Sequence, residues 1–404
     1  MPAQFAKLYP TLGVLSDVIK VFHLADIHLD AAFLDPPLPP EYGEMRRIDI
    51  RETVAGIFRK IWEQRPAAVL IAGDLFAGKY VTPETVTFFR ELCERSAPVP
   101  ILIAPGNNDP YTEDSSYAIV NWPRNVTVFD VPEWSCWQHP DLPLSVHGFG
   151  YRSKDTGGDI FCRLRVPKDG RFHVALGHGT ERNHRQEGVK PRATFSLPDI
   201  LQPGLHYLAL GHVHRTVPVI QEAGFQAWYP GPPEPLDFDE SGPRGFLQVC
   251  FDGNPATEYS VRVDFEQATS RRVCELTADV AASSGDALIR MLQEIPVPEE
   301  TMVLVRLAGD GQPETVAMLA RTILGFRKRF RWLGIHDTTR YTVPPESFRM
   351  EDTVYGDFCR ILLRNLEDAR DETSQERCVL ALQAGIAALS GQPWISRLTH
   401  TGER

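Results

Sequence analysis

One arrangement recurs five times along this chain and constrains its fold more than any other feature. A short apolar stretch rich in β-branched residues runs into a polar turn that carries a carboxylate, an amide or an imidazole. The turns are Asp26-x-His28, Gly73-Asp74, Gly106-Asn107, Gly177-His178 and Gly211-His212-x-His214. Apolar strands that alternate with helical spacing specify an α/β sheet, and such sheets gather their functional groups just beyond the strand ends. Glycine precedes the polar residue in four of the five turns, which suits the sharp bend of a chain leaving a strand.

Val18–Leu24 reads as a strand, and residues 44–64 have helical spacing through Ile48, Val54, Ile57, Phe58 and Ile61. Ala68–Ala72 is a second strand, Pro83–Cys93 a helix with proline in its first turn, and Val99–Ala104 a third strand. Short strands then dominate, at Val126–Phe129, Leu144–Gly148, Phe172–Leu176, His206–Leu210 and Phe246–Phe251. The Pro-rich stretch Tyr229–Pro235 reads as a rigid surface loop. Residues 1–17 precede the pattern and read as a flexible extension, with the main domain over 18–265. Residues 266–345 read as a small α+β unit of two helix–strand pairs, and 346–404 as a helical tail. In the tail Val354, Phe358, Ile361, Leu362 and Leu366 line one helical face, and Val379, Leu382, Ile386 and Leu389 another. The charged stretch Glu367–Arg377 separates or bends them.

Composition excludes several classes. The longest apolar runs, such as Ala67–Ala72 and Ile101–Ala104, fall far short of the ~20 residues that cross a bilayer. No apolar core followed by a cleavage site marks a signal peptide, so a cytoplasmic protein is expected. Seven cysteines are dispersed with no CxxC pair, which reads as reduced thiols and not as a disulfide framework or zinc cluster. The net charge of −11 is unlike a freestanding DNA-binding protein. Either the acidity belongs to metal ligands and solubilising surface, or bound metals and a partner neutralise phosphate.

Together the five turns supply two carboxylates (Asp26, Asp74), one amide (Asn107) and four imidazoles (His28, His178, His212, His214). Seven nitrogen and oxygen ligands are too many for one ion. They suit two octahedral-like ions that share a carboxylate, held ~3.5–4 Å apart to clamp the attacking and leaving oxygens of a phosphoryl transfer. Two dications against two aspartates leave a net positive centre, an electrostatic reason to bind a phosphodiester. With no cysteine in the set, a hard ion such as Mn²⁺ is expected. A lone Asp-x-His or His-x-His is most often an ordinary surface loop. The ordered succession of five, each after a strand, is what points to metal.

This order resembles the calcineurin-like metallophosphoesterase signature D-x-H, G-D, G-N-H-[DE], G-H and G-H-x-H. The spellings LADIHLDAAF, AGDLF, LALGHVHR and YPGPPEPLDF are most similar to SbcD and YhaO, bacterial relatives of the Mre-type double-strand-break repair nuclease. The likeness covers roughly residues 19–250. It implies a four-layer αββα metallophosphoesterase sandwich with a small α+β cap and a C-terminal helical tail. It also implies that Asp26, His28 and His214 hold one metal, that Asn107, His178 and His212 hold the other, and that Asp74 bridges. The activity implied is a Mn²⁺-dependent DNA exo/endonuclease that processes ends with an SbcC-like SMC-type ATPase, with a homodimer also possible for the family. In that family the histidine that follows the asparagine is not a ligand; it stabilises the phosphorane-like transition state or protonates the leaving oxygen. Here that position is Asn108. An amide donates a hydrogen bond but delivers no proton at neutral pH, and a general acid is worth ~10²–10⁴-fold, so impaired catalysis is expected. Ala77 is a second departure, since relatives often carry Asp or His there.

His23, His147, His173, His206 and His336 lie outside ligand spacing and read as structural or surface groups. His184 differs, because it follows His178 in a loop that could overhang the metals. The run Arg327-Lys328-Arg329-Phe330-Arg331-Trp332 suits a phosphate backbone and exposed bases, or equally a basic helix end entering an edge strand. In the tail Leu362, Leu363 and Leu366 could dock on an ATPase coiled coil or pack on their own domain. Two other functions remain open at this level: a small-molecule phosphodiesterase or phosphatase, and a non-catalytic metal-bound scaffold that binds DNA or a partner.

Overall fold

The computed structural model describes residues 18–31, 40–78, 81–154, 160–185, 190–222, 224–269, 271–281, 285–311, 313–341 and 352–389. The extension expected at residues 1–17, and the side chain of Ile386, lie outside them. The chain divides into two compact units. Among the described residues the first runs to Leu236 and resumes over Pro243–Thr269, and the second takes Asp237–Gly242 and the residues from 271 onward.

Twelve strands of the first unit make two six-stranded sheets. One holds β1 (Ile19–Leu24), β2 (Ala68–Ala72), β3 (Ile101–Ala104) and β4 (Val126–Val128) in parallel, in that order. The other starts from β5 (Ser135–Gln138) and continues through parallel β6 (Leu144–Gly148), β7 (Phe172–His178) and β8 (Tyr207–Gly211). It closes with the hairpin of β9 (Val217–Glu222) and β10 (Phe225–Tyr229), whereas β11 (Gly245–Gly253) and β12 (Tyr259–Gln267) complete the first sheet beside β1. Alternation on each strand divides the core. Val21, Leu70, Leu102 and Val249 face Val146, Val174, Leu176 and Ala209 between the sheets. Phe22, Leu24, Val69, Ile71 and Ile103 face outward, under α1 (Pro40–Gln64) and α2 (Pro83–Arg95). The outer face of the second sheet is covered more thinly, by aromatic side chains such as Phe149, Phe161 and Phe195 and by the short turns Phe161–Arg163 and Leu197–Ile200.

Parallel neighbours must end on the same side, so β1, β2, β3, β7 and β8 all deliver their polar turns to one edge of the sandwich. The strands that apolar runs alone did not reveal are β5, β9, β10 and β12. In β12 Arg262, Asp264 and Glu266 alternate with Val261, Val263 and Phe265, the pattern of a strand with one wet face.

The Pro-rich stretch is not a surface loop. Residues 229–235 are buried throughout, because the carboxylate of Glu234 is the hub of an interior network. It takes Arg46 Nη2 at 2.8 Å and the Thr53 hydroxyl at 2.8 Å, and the Thr269 hydroxyl also donates to it. Arg46 in turn reaches Asp49 at 2.9 Å and the Pro235 carbonyl at 2.9 Å.

In the second unit the parallel strands Arg272–Asp279, Thr301–Ala308 and Trp332–Asp337 carry helices Gly285–Glu294 and Pro313–Gly325. The first of these strands was missed in the sequence. The run 327–332 does not interleave exposed aromatics: Arg327, Lys328 and Arg329 are exposed, whereas Phe330 is in the core and Trp332 stacks on Phe238. Two tail helices follow, Val354–Asp368 and Glu372–Leu389, joined by three residues and not by the longer stretch expected. Their buried seam is Cys359, Leu363 and Leu382, so Val354 and Ile361 point away from it, at 75% and 61% exposure. Among the described residues no helix is long and apolar enough to cross a membrane.

Two outcomes follow for stability. Glu234→Ala strips Arg46 of a buried partner and is expected to cost about 3–5 kcal/mol, read as a lowered denaturation midpoint. Burial pushes His23 down to about 3, and burial together with His173 pushes His147 and His206 down to about 4. The unfolded chain, with imidazoles near 6.5, therefore binds the extra protons. The stability these groups contribute is full above pH 6.5 and is lost as pH falls toward 4, by about 1.4 kcal/mol per pH unit for each histidine. Guanidinium titrations in EDTA between pH 7 and 4.5 should show His23→Gln with a slope shallower by that amount. Parallel curves for parent and variant would refute the assignment.

Candidate metal centre

All seven residues singled out as ligands meet at the common edge of the two sheets. The turns after β1 and β2 are zipped together: Asp26 N–H donates to Gly73 O at 3.0 Å and His28 N–H to Asp74 O at 2.9 Å. The turn after β8 is fastened to the first sheet by His212 N–H, which donates to Asp26 Oδ1 and Oδ2, both at 3.0 Å. The turn after β3 is fastened through Asn108, whose N–H and Nδ2 donate to the two oxygens of Asp74 at 2.9 and 2.7 Å.

Ligand atoms fall into two triads, each within 4.8 Å: Asp26, His28 and His214, and Asp26, Asp74 and His178. Asp74 Oδ2 lies 3.6 Å from His28 Nε2 and 3.4 Å from His178 Nε2, so it stands between the two groups. Asn107 Oδ1 is 3.0 Å from His178 Nε2, and the rings of His178 and His212 are 5.1 Å apart. The geometry therefore gives Asp26, as well as Asp74, access to both halves. His178 donates through Nδ1 to Ala72 O at 2.9 Å, which turns Nε2 inward, the orientation a ligating imidazole needs.

Backbone conformation supports a functional reading. Asp26, His28, Asp74 and His212 all have positive φ, at 51°, 47°, 51° and 102°. Non-glycine residues in this region are uncommon and cluster at functional sites. Two glycines are required by space: a Cβ on Gly106 would meet Asp74 Oδ1 at 2.1 Å, and one on Gly211 would meet Ala72 O at 1.8 Å.

Burial pushes Asp26 up to about 6 against the pull of His214 and His178. Burial works against Asp74 too, but the charges of His178 and His28 prevail and hold it well below the usual range. Against burial, Asp74 and Asp26 raise His178 to about 9. Among the described residues the ion-pair partners of both carboxylates are imidazoles only, so the site carries a negative potential that draws cations. His212 Nε2 is buried and makes no hydrogen bond, which leaves its lone pair to meet a cation. Buried carboxylates, inward imidazoles and an amide oxygen fit divalent ions.

Sequence reasoning missed Asp109 and Tyr117. Asp109 accepts from the N–H groups of Asp74, Phe76 and Gly106 and from the Tyr117 hydroxyl at 2.6 Å. It welds the turns after β2 and β3, and burial next to Asp74 raises it to about 7. Its place two residues after Asn107 was the available signal. Of the histidines expected to be structural, His23 bonds the Tyr207 hydroxyl, and His147 and His173 pair at 2.9 Å.

Residues 19–216 match the calcineurin-like phosphoesterase family, so this stretch of the chain carries a metallophosphoesterase domain of that family. It is similar to the uncharacterized metallophosphoesterase YhaO of Bacillus subtilis, 26% identical over 292 residues, 70% of this chain and 68% of that one. It is also similar to the DNA double-strand break repair protein Mre11 of Methanopyrus kandleri, 25% identical over 289 residues (65% of this chain, 60% of that one). The Mre11 protein of Aeropyrum pernix is 25% identical over 325 residues (72% and 76%).

Elemental analysis after Mn²⁺ loading and gel filtration should find two ions per chain. Asp74→Ala should retain fewer than any single-histidine variant, because a carboxylate between both groups serves both ions. One ion per parent chain would refute the shared site.

Proposed function

We propose that this phosphoesterase is a Mn²⁺-dependent DNA nuclease of exo/endonuclease type, slowed by Asn108. The observation that carries the reading is Asp74, set between His28 and His178 and flanked by two ligand triads that share Asp26. When bound, divalent ions supply the positive charge that draws a phosphodiester and offsets the charge developing on it. Asp26, His28 and His214 would hold one, Asn107, His178 and His212 the other, with Asp74 common to both. DNA as substrate is supported by the Mre11 relatives, which are DNA double-strand break repair proteins. The exposed Arg327, Lys328 and Arg329 offer cations for phosphates in the second unit. We assign the tail to an SbcC-like SMC-type ATPase, with Val354 and Ile361, and not the buried Leu363, as its apolar contacts.

Asn108 is exposed while its neighbours Asn107 and Asp109 are buried. Its Nδ2 is committed to Asp74 and brings no proton to a leaving oxygen. Asn108→His is therefore expected to raise DNA turnover about a hundredfold, within the usual worth of a general acid. Duplex affinity should change less than about threefold, since the effect falls on the chemical step. Single-turnover cleavage in Mn²⁺ with a parallel binding titration decides this. A chain that hydrolyses a chromogenic phosphodiester but not duplex DNA would instead be a small-molecule phosphodiesterase, and one that binds DNA yet cleaves neither in the histidine form would be a scaffold.

A further inference from the structure

The loop Gly179–Arg185 begins one residue after His178 and holds a buried carboxylate that the metal centre does not use. Glu181 is 1% exposed. Its Oε2 accepts the Asn183 N–H at 2.8 Å and pairs with His184 Nδ1 at 2.8 Å. The loop is pinned at several points. Arg182 N–H donates to Phe195 O at 3.0 Å, Phe195 N–H to Thr180 O at 3.1 Å, and His184 N–H to Glu181 O at 3.0 Å. Glu181 N–H donates to the Tyr229 hydroxyl at 2.9 Å, and that hydroxyl donates to Gly179 O at 2.8 Å. The Tyr229 hydroxyl thus ties Glu181 to Gly179, the residue that directly follows the ligand His178. The His184 ring sits 6.3 Å from the Tyr229 ring, with its side chain 24% exposed.

A carboxylate on one imidazole nitrogen fixes the ring and its tautomer and leaves the other nitrogen to meet a ligand. Here Nδ1 is occupied and Nε2 is the nitrogen left over. The dyad sits on the loop that leaves the ligand His178, and Asn108, at the edge of the same centre, has no titratable side chain.

We propose that His184 is a catalytic proton donor of this chain, with Glu181 as its positioning residue; the proposal rests on the nuclease reading above. Water adds its oxygen to phosphorus and releases a proton to solvent. The bond from phosphorus to the leaving oxygen breaks with its electron pair on that oxygen, which takes the proton from His184 Nε2. The neutral imidazole is then reprotonated from solvent. The donor at 184 and a histidine restored at 108 are parallel routes, so each matters only when the other is absent or slower.

The test is a double-mutant cycle on the full Mn²⁺-loaded chain, with metal content measured by elemental analysis for every variant. His184→Gln is expected to lower duplex DNA cleavage about a hundredfold while retaining its metals. Hydrolysis of bis(p-nitrophenyl) phosphate should stay within about threefold, because p-nitrophenolate leaves without a proton. In the Asn108→His background the same substitution should cost less than about threefold. Glu181→Gln should show a smaller loss with the same substrate dependence. Independently of activity, diethylpyrocarbonate labelling of His184, read by mass spectrometry, should be suppressed by a phosphorothioate duplex. Normal DNA cleavage by His184→Gln, a parallel loss on both substrates, or labelling indifferent to the duplex would each overturn the role of His184. A parent that cleaves the chromogenic diester but not DNA overturns the nuclease reading itself, and the role of His184 with it.

Discussion

Asp26 and Asp74 are buried where the two sheets meet, and among the described residues only imidazoles pair with them. Buried charge costs several kcal/mol unless geometry and hydrogen bonding compensate it, so the surrounding structure is organised around these two carboxylates. Backbone N–H groups of His212 and Asn108 point at them, four imidazoles converge on them, and Gly106 and Gly211 leave room for the approach. The compensation remains incomplete in the protein alone, as the buried Nε2 of His212 indicates. Divalent cations would complete it, so that metal affinity would follow from how the sandwich is built.

The sandwich supplies this geometry through topology. Parallel strands in both sheets end on one side, and the turns leaving them are held in left-handed conformations that non-glycine residues adopt at a cost of order 1–3 kcal/mol each. That cost is sustained because Asp109 and the Glu234–Arg46 network fix the turns and the outer helix from within. Neither group belongs to the ligand set. Both explain why polar residues lie in regions of the chain that would otherwise be expected to face water.

Position 108 separates binding from chemistry. Asn108 donates a hydrogen bond to Asp74 that fastens the turn after β3, and in the proposed reaction it brings no proton to the leaving oxygen. A second imidazole, fixed by a buried carboxylate on the loop that follows a ligand, is a physically sufficient alternative source. In the proposed reaction the rate depends on how the chain distributes proton donors around the site.

The sequence by itself determined which polar side chains gather at the sheet edge and most of the first unit, because strand, turn and donor recur there in local order. It also determined the two helix–strand pairs of the second unit. Only the tertiary structure decided the rest. Alternating strands such as β12 look polar until a neighbour gives them a dry face, and the stretch before Pro235 looks like a loop until Arg46 buries Glu234. The tail residue Leu363 looked available for docking until Leu382 covered it. The sharing of Asp26 between both triads, and the pairing of Glu181 with His184 beside Tyr229, depend on distances across separate strands. Local periodicity cannot carry that information, because it records which face a side chain takes and not which distant side chain it will meet there.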